Sequence, residues 1–477
     1  MNANLNELMA ALPQERTETE ADFSREQLQE IFADLALRPA PTASLHRLWT
    51  LGELSAQVAL AYLALWIRRW FADAEAKERQ TMETNLRLGL KIFHRLGYLR
   101  GALAKLGQTA GNLPRIFPAQ IADTLDRLHF EAPPMHFSLI REVLENELGA
   151  DPDDVFQSFE RDAFAAASIG QVHRATLKSG ERVAVKIQYP GIARTIDADF
   201  RNLNALLQPL RLGKDWESLK TQCEEIHRML KQEVDYERES ESLRDARALF
   251  QGEDGIVVPE VHAEYSTKRV LTMDYIPGLH LPDFLATHPS QALRNSFGAK
   301  LLLVWYRMHA AKMNYADPQS GNYLFLDDGR LGLIDFGCVQ HFTDEEFELL
   351  RLAYRADERE PALVRELMRR ACGATDADLA NKDYVGLINE SIRWMKEPVL
   401  HRGPFDYADE KYLKRGVECF GRLIAKRYAR SHPMFVYFHR STFGLKALLY
   451  RLGAQVDIQE LPIENWWDSG GKGNEGY

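Results

Sequence analysis

The sequence predicts an α+β fold in which a small, mostly β lobe stands beside a larger, mostly helical one. Three observations predict it. Extended runs Gly170–Leu177 and Arg182–Gln188 flank the hairpin turn Lys178-Ser179-Gly180, and a further strand pattern, Arg269–Met273, follows. A second hairpin, Tyr323–Leu326 and Leu331–Ile334 around Asp327-Asp328-Gly329, sits inside a long helical block. Helical periodicity dominates elsewhere: Ile92, Leu96, Leu99, Leu103 and Leu106 recur at four- and three-residue steps and share one helix face.

Taken in order, residues 1–45 read as a mobile acidic lead-in with one helix. The capping box Ser24-Arg25-Glu26-Gln27 opens that helix and Pro39-Ala40-Pro41 closes it. Residues 46–158 read as an N-terminal helical extension. Its last helix, 136–149, ends at Gly149 and Asp151-Pro152. Residues 159–280 read as the small lobe, with a helical insertion over 193–250 and a short strand at Val257-Val258. Residues 281–465 read as the helical lobe, with helices at Pro282–His288 and Ser290–Lys312 and another capped by Thr343-Asp344-Glu345-Glu346. The end, 466–477, is expected to be disordered.

A net charge of -10 over 477 residues argues against nucleic acid as a partner, because phosphate neutralisation needs a basic excess. Cys223, Cys338, Cys372 and Cys419 are scattered without a CxxC, which fits free thiols in a reducing, cytoplasmic setting. The first residues lack a basic stretch followed by an apolar core, so no secretory signal is expected. Leu54–Ile67 is apolar but about four residues short of the roughly 18 a membrane span needs. A buried core helix is the first reading of it. The second is an interfacial helix, because Trp66, Arg68, Arg69 and Trp70 suit peripheral contact with the inner face of a membrane.

The chemistry is carried by two connected motifs. Asp317 and Asn322 stand five apart, and Asp335-Phe336-Gly337 follows after one hairpin. Phosphoryl transfer from ATP needs a carboxylate near the acceptor and oxygen ligands for Mg²⁺ on the phosphates. The spacing assigns Asp317 as catalytic carboxylate, and Asn322 and Asp335 as magnesium ligands, in a protein-kinase-like two-lobe arrangement. Lys186 ends the apolar run Val183-Ala184-Val185, where burial is costly unless an anion meets it, and it is read as the phosphate-contacting lysine. The run Ala165, Ala166, Ala167, Ser168, Ile169, Gly170, Gln171, Val172 stands where a Gly-rich phosphate loop belongs. Alanine tolerates positive φ poorly, so this turn is expected to be stiffer. Met273, Asp274 and Tyr275 are further candidate nucleotide contacts. A glutamate partner for Lys186 is expected from a helix over 221–248, where Glu233/Glu237 and Asp235/Glu239 form i,i+4 pairs.

In these motifs the sequence resembles the UbiB/AarF (ADCK-like) atypical kinases, over roughly residues 95 to 345. Lys105-Leu106-Gly107-Gln108 matches the family's KxGQ. Ala165–Val172 matches its alanine-rich loop, Glu233-Val234-Asp235 its ExD element, and Asp317–Asn322 with Asp335-Phe336-Gly337 its catalytic and metal loops. The resemblance implies that Lys105 and Gln108 fold over the ATP pocket with Glu233 and Asp235 facing Lys105. It makes Glu239 the partner of Lys186. It also implies a role in ubiquinone or other isoprenoid-lipid metabolism, with a lipid or quinone-intermediate substrate, by an ATPase or small-molecule kinase.

The chain departs from the family at Tyr315 and Gln319, which stand where the family usually has His. A neutral amide at 319 gives less help to charge developing on the γ-phosphate. No Ala-Pro-Glu follows the Asp-Phe-Gly motif, and the helix capped at Thr343 starts six residues after Gly337, leaving little segment for a peptide to dock on. Two alternatives stand beside the first reading. One is a soluble small-molecule phosphotransferase, which the KxGQ and alanine-rich segments oppose. The other is a nucleotide-binding scaffold with little transfer, which Gln319 keeps open.

Overall fold

A computed structural model describes residues 135–190 except 168, residues 196, 224, 227 and 228, residues 231–463 except 427, 429 and 430, and residue 467. The lead-in, the Leu54–Ile67 stretch, the Ile92–Leu106 stripe, Lys105 and Gln108, Ser168 and the tail beyond Trp467 lie outside them.

The small lobe opens with α1 (Phe137–Leu148), capped by the His136 ring and closed at Gly149, and α2 (Pro152–Val155), capped by Asp151. Two short strands, β1 (Ser158–Phe159) and β2 (Ala165–Ala167), pair antiparallel with successive parts of β3 (Gly170–Thr176). Next come β4 (Arg182–Gln188), α3 (Tyr236–Leu249), β5 (Ile256–Val257) and β6 (Val270–Asp274). β3 pairs with β4, and β4 with β6, all antiparallel.

Strand alternation decides what each residue of β4 meets. Val183, Val185 and Ile187 join Ile140, Val143 and Leu144 of α1 in one fully buried layer. Ala184 turns to the opposite face, toward Leu271, Met273 and α3, and Lys186 shares its parity. The motif Val-Ala-Val-Lys therefore buries a valine layer on one side and delivers an ammonium to the other.

The large lobe runs through α4 (Leu281–Ala286), α5 (Gln291–Ala310), β7 (Met313–Tyr315), β8 (Tyr323–Phe325), β9 (Leu331–Leu333) and β10 (Val339–His341). It continues through α6 (Asp344–Arg355), α7 (Pro361–Cys372), α8 (Asp376–Ala380), α9 (Lys382–Leu400), β11 (Phe405–Asp406), α10 (Glu410–Ala425), α11 (Met434–Leu452) and β12 (Gln455–Val456). The expected hairpin is present as β8–β9, with Tyr323 opposite Leu333, and β5 adds to it in parallel. β10 pairs back on β7, with Val339 opposite Tyr315. The segment after Asp335-Phe336-Gly337 is thus drawn into a sheet and passes at once into α6, whose capping box at Thr343 is formed as expected.

One expectation needs correction. The acidic run 233–239 is not a single helix: the helical turn ends at Glu233, and Asp235 caps α3 by accepting the Arg238 backbone N–H at 3.1 Å. The i,i+4 pairs across this break therefore do not share one helix face. Asp235 favours a break because its side chain competes for backbone donors.

Candidate active site

Lys186 is the centre of the arrangement. Its Nζ lies 2.8 and 2.9 Å from the two carboxylate oxygens of Glu239 and 3.0 Å from Oδ2 of Asp335. Glu239 stands on the first turn of α3, where an acid also complements the helix dipole. It is 1% exposed, and its Oε1 also accepts the Phe336 backbone N–H at 3.4 Å. Burial works to push the Lys186 ammonium down, but Asp335 and Glu239 prevail and hold it well above its ordinary range, fully charged. The Tyr236 ring lies 5.2 Å from the ammonium.

The catalytic-loop and Asp-Phe-Gly segments are joined by backbone and side chains together. Ile334 N–H donates to the Asn322 carbonyl at 3.2 Å, at the open end of the β8–β9 hairpin. The Asn322 amide Nδ2 donates to the Asp317 carbonyl at 2.7 Å. The Tyr315 hydroxyl donates to the Asp335 carbonyl at 2.6 Å, and its ring packs on Phe336 and Tyr323. Tyr315 thus ties the metal-loop backbone in place. Gly337 N–H donates to Asp335 Oδ1 at 3.0 Å. A Cβ on Gly337 would stand 3.4 to 3.7 Å from Asp335, Glu239 and Glu233, so three acids crowd this turn.

The Asp317 carboxylate meets a partner that sequence reasoning did not find. Arg440, in the middle of α11, donates from Nη2 to Asp317 Oδ1 at 2.8 Å, and both side chains are nearly buried. Burial opposes the guanidinium charge, but Asp317, with help from Glu233, raises its pKa above the usual value. α11 comes close because of a glycine: a Cβ on Gly444 would lie 2.5 Å from the Pro318 ring. Arg440 is separated from Asp317 by 123 residues, and no spacing rule links them. Arg440 and Gly444 stand four residues apart on α11, but Lys446 and Arg451 share that helix, so the sequence does not single Arg440 out.

The alanine-rich segment is a tight β-hairpin. Ala165, Ala166 and Ala167 pair with Val172, Gln171 and Gly170 in turn, and the Tyr189 N–H donates to the Ile169 carbonyl at 2.9 Å. Gly170 is required by proximity, since a Cβ there would stand 2.2 Å from the Ile187 carbonyl oxygen. Two candidate side chains face elsewhere. Gln171 is buried on the α1 side, its Oε1 accepting the Met135 N–H at 2.8 Å and its amide bonded to His173. The Asp274 carboxylate is taken by His262 at 2.9 Å and the Glu260 N–H at 3.0 Å. Alternation along β3 and β6 turns both side chains to the face of the sheet opposite Lys186. Met273 packs with Ala184 and Leu271, whereas Tyr275 stacks edge-on with Phe164 and lies under the Arg174 and Arg182 guanidiniums.

The groups present fit a magnesium–phosphate ligand. Asn322 spends its Nδ2 on Asp317, which leaves Oδ1 as an acceptor, and the Asp335 side chain is 37% exposed. Among the described residues no cluster of three or more His, Cys, Asp or Glu could hold a metal alone, so a metal here would complete its shell with phosphate oxygens. Among the described residues the buried Tyr236 hydroxyl has no hydrogen-bond partner, and it lies 3.1 Å from where a Gly170 Cβ would be. It is an unmet donor beside Lys186.

Comparison with known proteins agrees with this geometry. Atypical kinase COQ8, mitochondrial, of Saccharomyces cerevisiae is 28% identical over 93% of this chain and 89% of its own length. Atypical kinase COQ8B, mitochondrial, of Danio rerio is 29% identical over 94% of this chain and 73% of its own. Among solved structures, the Rv3197–erythromycin complex from Mycobacterium tuberculosis superposes with a TM-score of 0.53 at 26% identity, covering 82% of this chain and all of that one. The ABC1 atypical kinase-like domain matches residues 127–367, which include the alanine-rich turn, Lys186, Glu239, Asp317, Asn322 and Asp335, and the chain belongs to that family.

Proposed function

We propose that the chain binds Mg-ATP between the Ala165–Val172 hairpin, Lys186 and the Asp317–Asn322 and Asp335 loops, and uses it as an ATP-dependent phosphotransferase or ATPase. The observation that carries this reading is the continuous chain of contacts from Glu239 through Lys186 to Asp335, and from Asn322 through Asp317 to Arg440. Lys186 holds the α- and β-phosphates, and Glu239 fixes its direction. Backbone N–H groups of the hairpin, with the Tyr236 hydroxyl, cradle phosphate oxygens. Asn322 and Asp335 would hold Mg²⁺, which supplies charge neutralisation on the transferring group.

Asp317 orients the attacking hydroxyl or water and takes its proton. Arg440 supplies, from α11, a cation that the neutral Gln319 does not, and it opposes negative charge growing beside Asp317. Glu233 and Asp235 are assigned to receive Lys105, with Gln108 over the nucleotide. The short route from Gly337 to α6 leaves no extended segment for a peptide, which favours a small or lipid-derived acceptor. By likeness to the COQ8 proteins, that acceptor belongs to ubiquinone or isoprenoid-lipid metabolism, and the chain works at a membrane surface. Among the described residues no helix is long and apolar enough to cross a membrane.

The test is ATP hydrolysis by the full chain, with and without anionic vesicles, for the wild type and Asp317→Asn. Vesicle-stimulated turnover that falls about 10²- to 10⁴-fold in the variant, with ATP binding kept, is expected. Binding without turnover in the wild type would replace this reading with the scaffold.

A further inference from the structure

Lys446 is buried without a counter-anion. It is 8% exposed, and no described carboxylate lies within ion-pair distance of its ammonium. Its Nζ lies 3.9 Å from the Trp394 ring centre and 4.9 Å from that of Tyr412, and it donates to the Tyr412 hydroxyl. Burial pushes the Lys446 pKa down to about 7 against the through-space pull of Glu397, which is itself paired with Arg415 at 2.7 Å. Buried charges are ordinarily paired, because desolvation without a partner is costly.

Lys446 lines a cavity of about 420 Å³ in the large lobe, within the size range of small-molecule sites. Tyr354, Met395, Val399 and Leu445 form part of its apolar wall. Trp305 also lines it, and the buried Trp305 Nε1–H has no hydrogen-bond partner among the described residues. Lys446 and the unpartnered Trp305 N–H therefore line one apolar cavity. Arg355, Arg359, Lys396, Asp357 and Glu360 also line it, with Asp357 paired to Arg359 at 2.7 Å. The cavity is not the nucleotide cleft. On α11, Phe438, Thr442, Leu445, Lys446 and Leu449 face it, whereas Arg440 and Gly444 face the catalytic loop.

We propose that this cavity is a second ligand site, which takes an apolar molecule bearing one carboxylate. The acid group meets the Lys446 ammonium, and the hydrocarbon part lies against the aromatic and aliphatic wall. The assignment stands whether or not the cleft binds nucleotide.

Calorimetric titration of the full chain with decanoate, and with decanol as the neutral match, tests it. Decanoate should bind at least about tenfold more tightly than decanol, since a charge-assisted bond contributes on that scale. Lys446→Met should erase that preference while leaving decanol binding unchanged, and a cooperative melt would show that it folds. Leu445→Trp should block both ligands by filling the cavity. Equal affinities for the two ligands in the wild type, decanoate binding unaltered in Lys446→Met, or no decanoate binding at all would overturn the proposal. The wild-type comparison decides even if either variant fails to fold.

Discussion

Arg440 and Asp317 make the site depend on a contact that neither residue announces. Arg440→Met removes the guanidinium that donates to the buried Asp317 carboxylate. Turnover should fall about 10²- to 10³-fold, as when one stabilising donor is lost, with nucleotide affinity retained. Steady-state hydrolysis beside equilibrium ATP titration separates the two effects. Glu239→Gln breaks the other buried pair and should cost roughly 3 kcal/mol of stability, read by denaturant unfolding. At this scale the sequence was partly legible. That Lys186, Asp317, Asn322 and Asp335 come together was readable from a spacing that phosphoryl transfer would require. Arg440 was not, because a through-space ion pair across 123 residues leaves no local pattern. Gln171 and Asp274 sit in the expected strands, but their side chains turn to the face opposite Lys186, a matter of parity that depends on register.

α11 is the element that links the large lobe to catalysis. Gly444 lets it press on Pro318, so Gly444→Val should drive the helix off the catalytic loop and stretch the Arg440–Asp317 pair. Hydrolysis should drop more than ATP affinity does, and equal losses of both would show general damage instead. In the small lobe, α1 holds the back of the sheet through Ile140, Val143 and Leu144. Ile140→Ala should destabilise by about 2–5 kcal/mol, measured by denaturant titration. Hairpins and caps were legible in the sequence because Asp-Gly turns and the Thr343–Glu346 box are local chemistry. The helix break at Val234–Asp235 was missed, because the acids around it are acceptable within a helix and only the cap geometry shows the interruption.

For the whole molecule, the α+β two-lobe kinase-like fold follows from valine layers on one side of a small sheet and a helical lobe around the β8–β9 hairpin. Its stability should fall in acid. Burial lowers His309 and His439 to about 4, so the unfolded chain takes up protons first as pH drops below about 6.5. The melting midpoint should therefore decline between about pH 6.5 and 4, and replacing either histidine with a neutral residue should flatten that slope. The central claim is that the cleft holds Mg-ATP through Asp335 and Asn322. The most direct measurement is the thermal shift of the full chain with ATP, with and without magnesium, in the wild type and in Asp335→Asn. A magnesium-dependent rise in the wild type that is absent in the variant is the predicted result. No rise in the wild type, or an equal rise in both, would contradict the assignment.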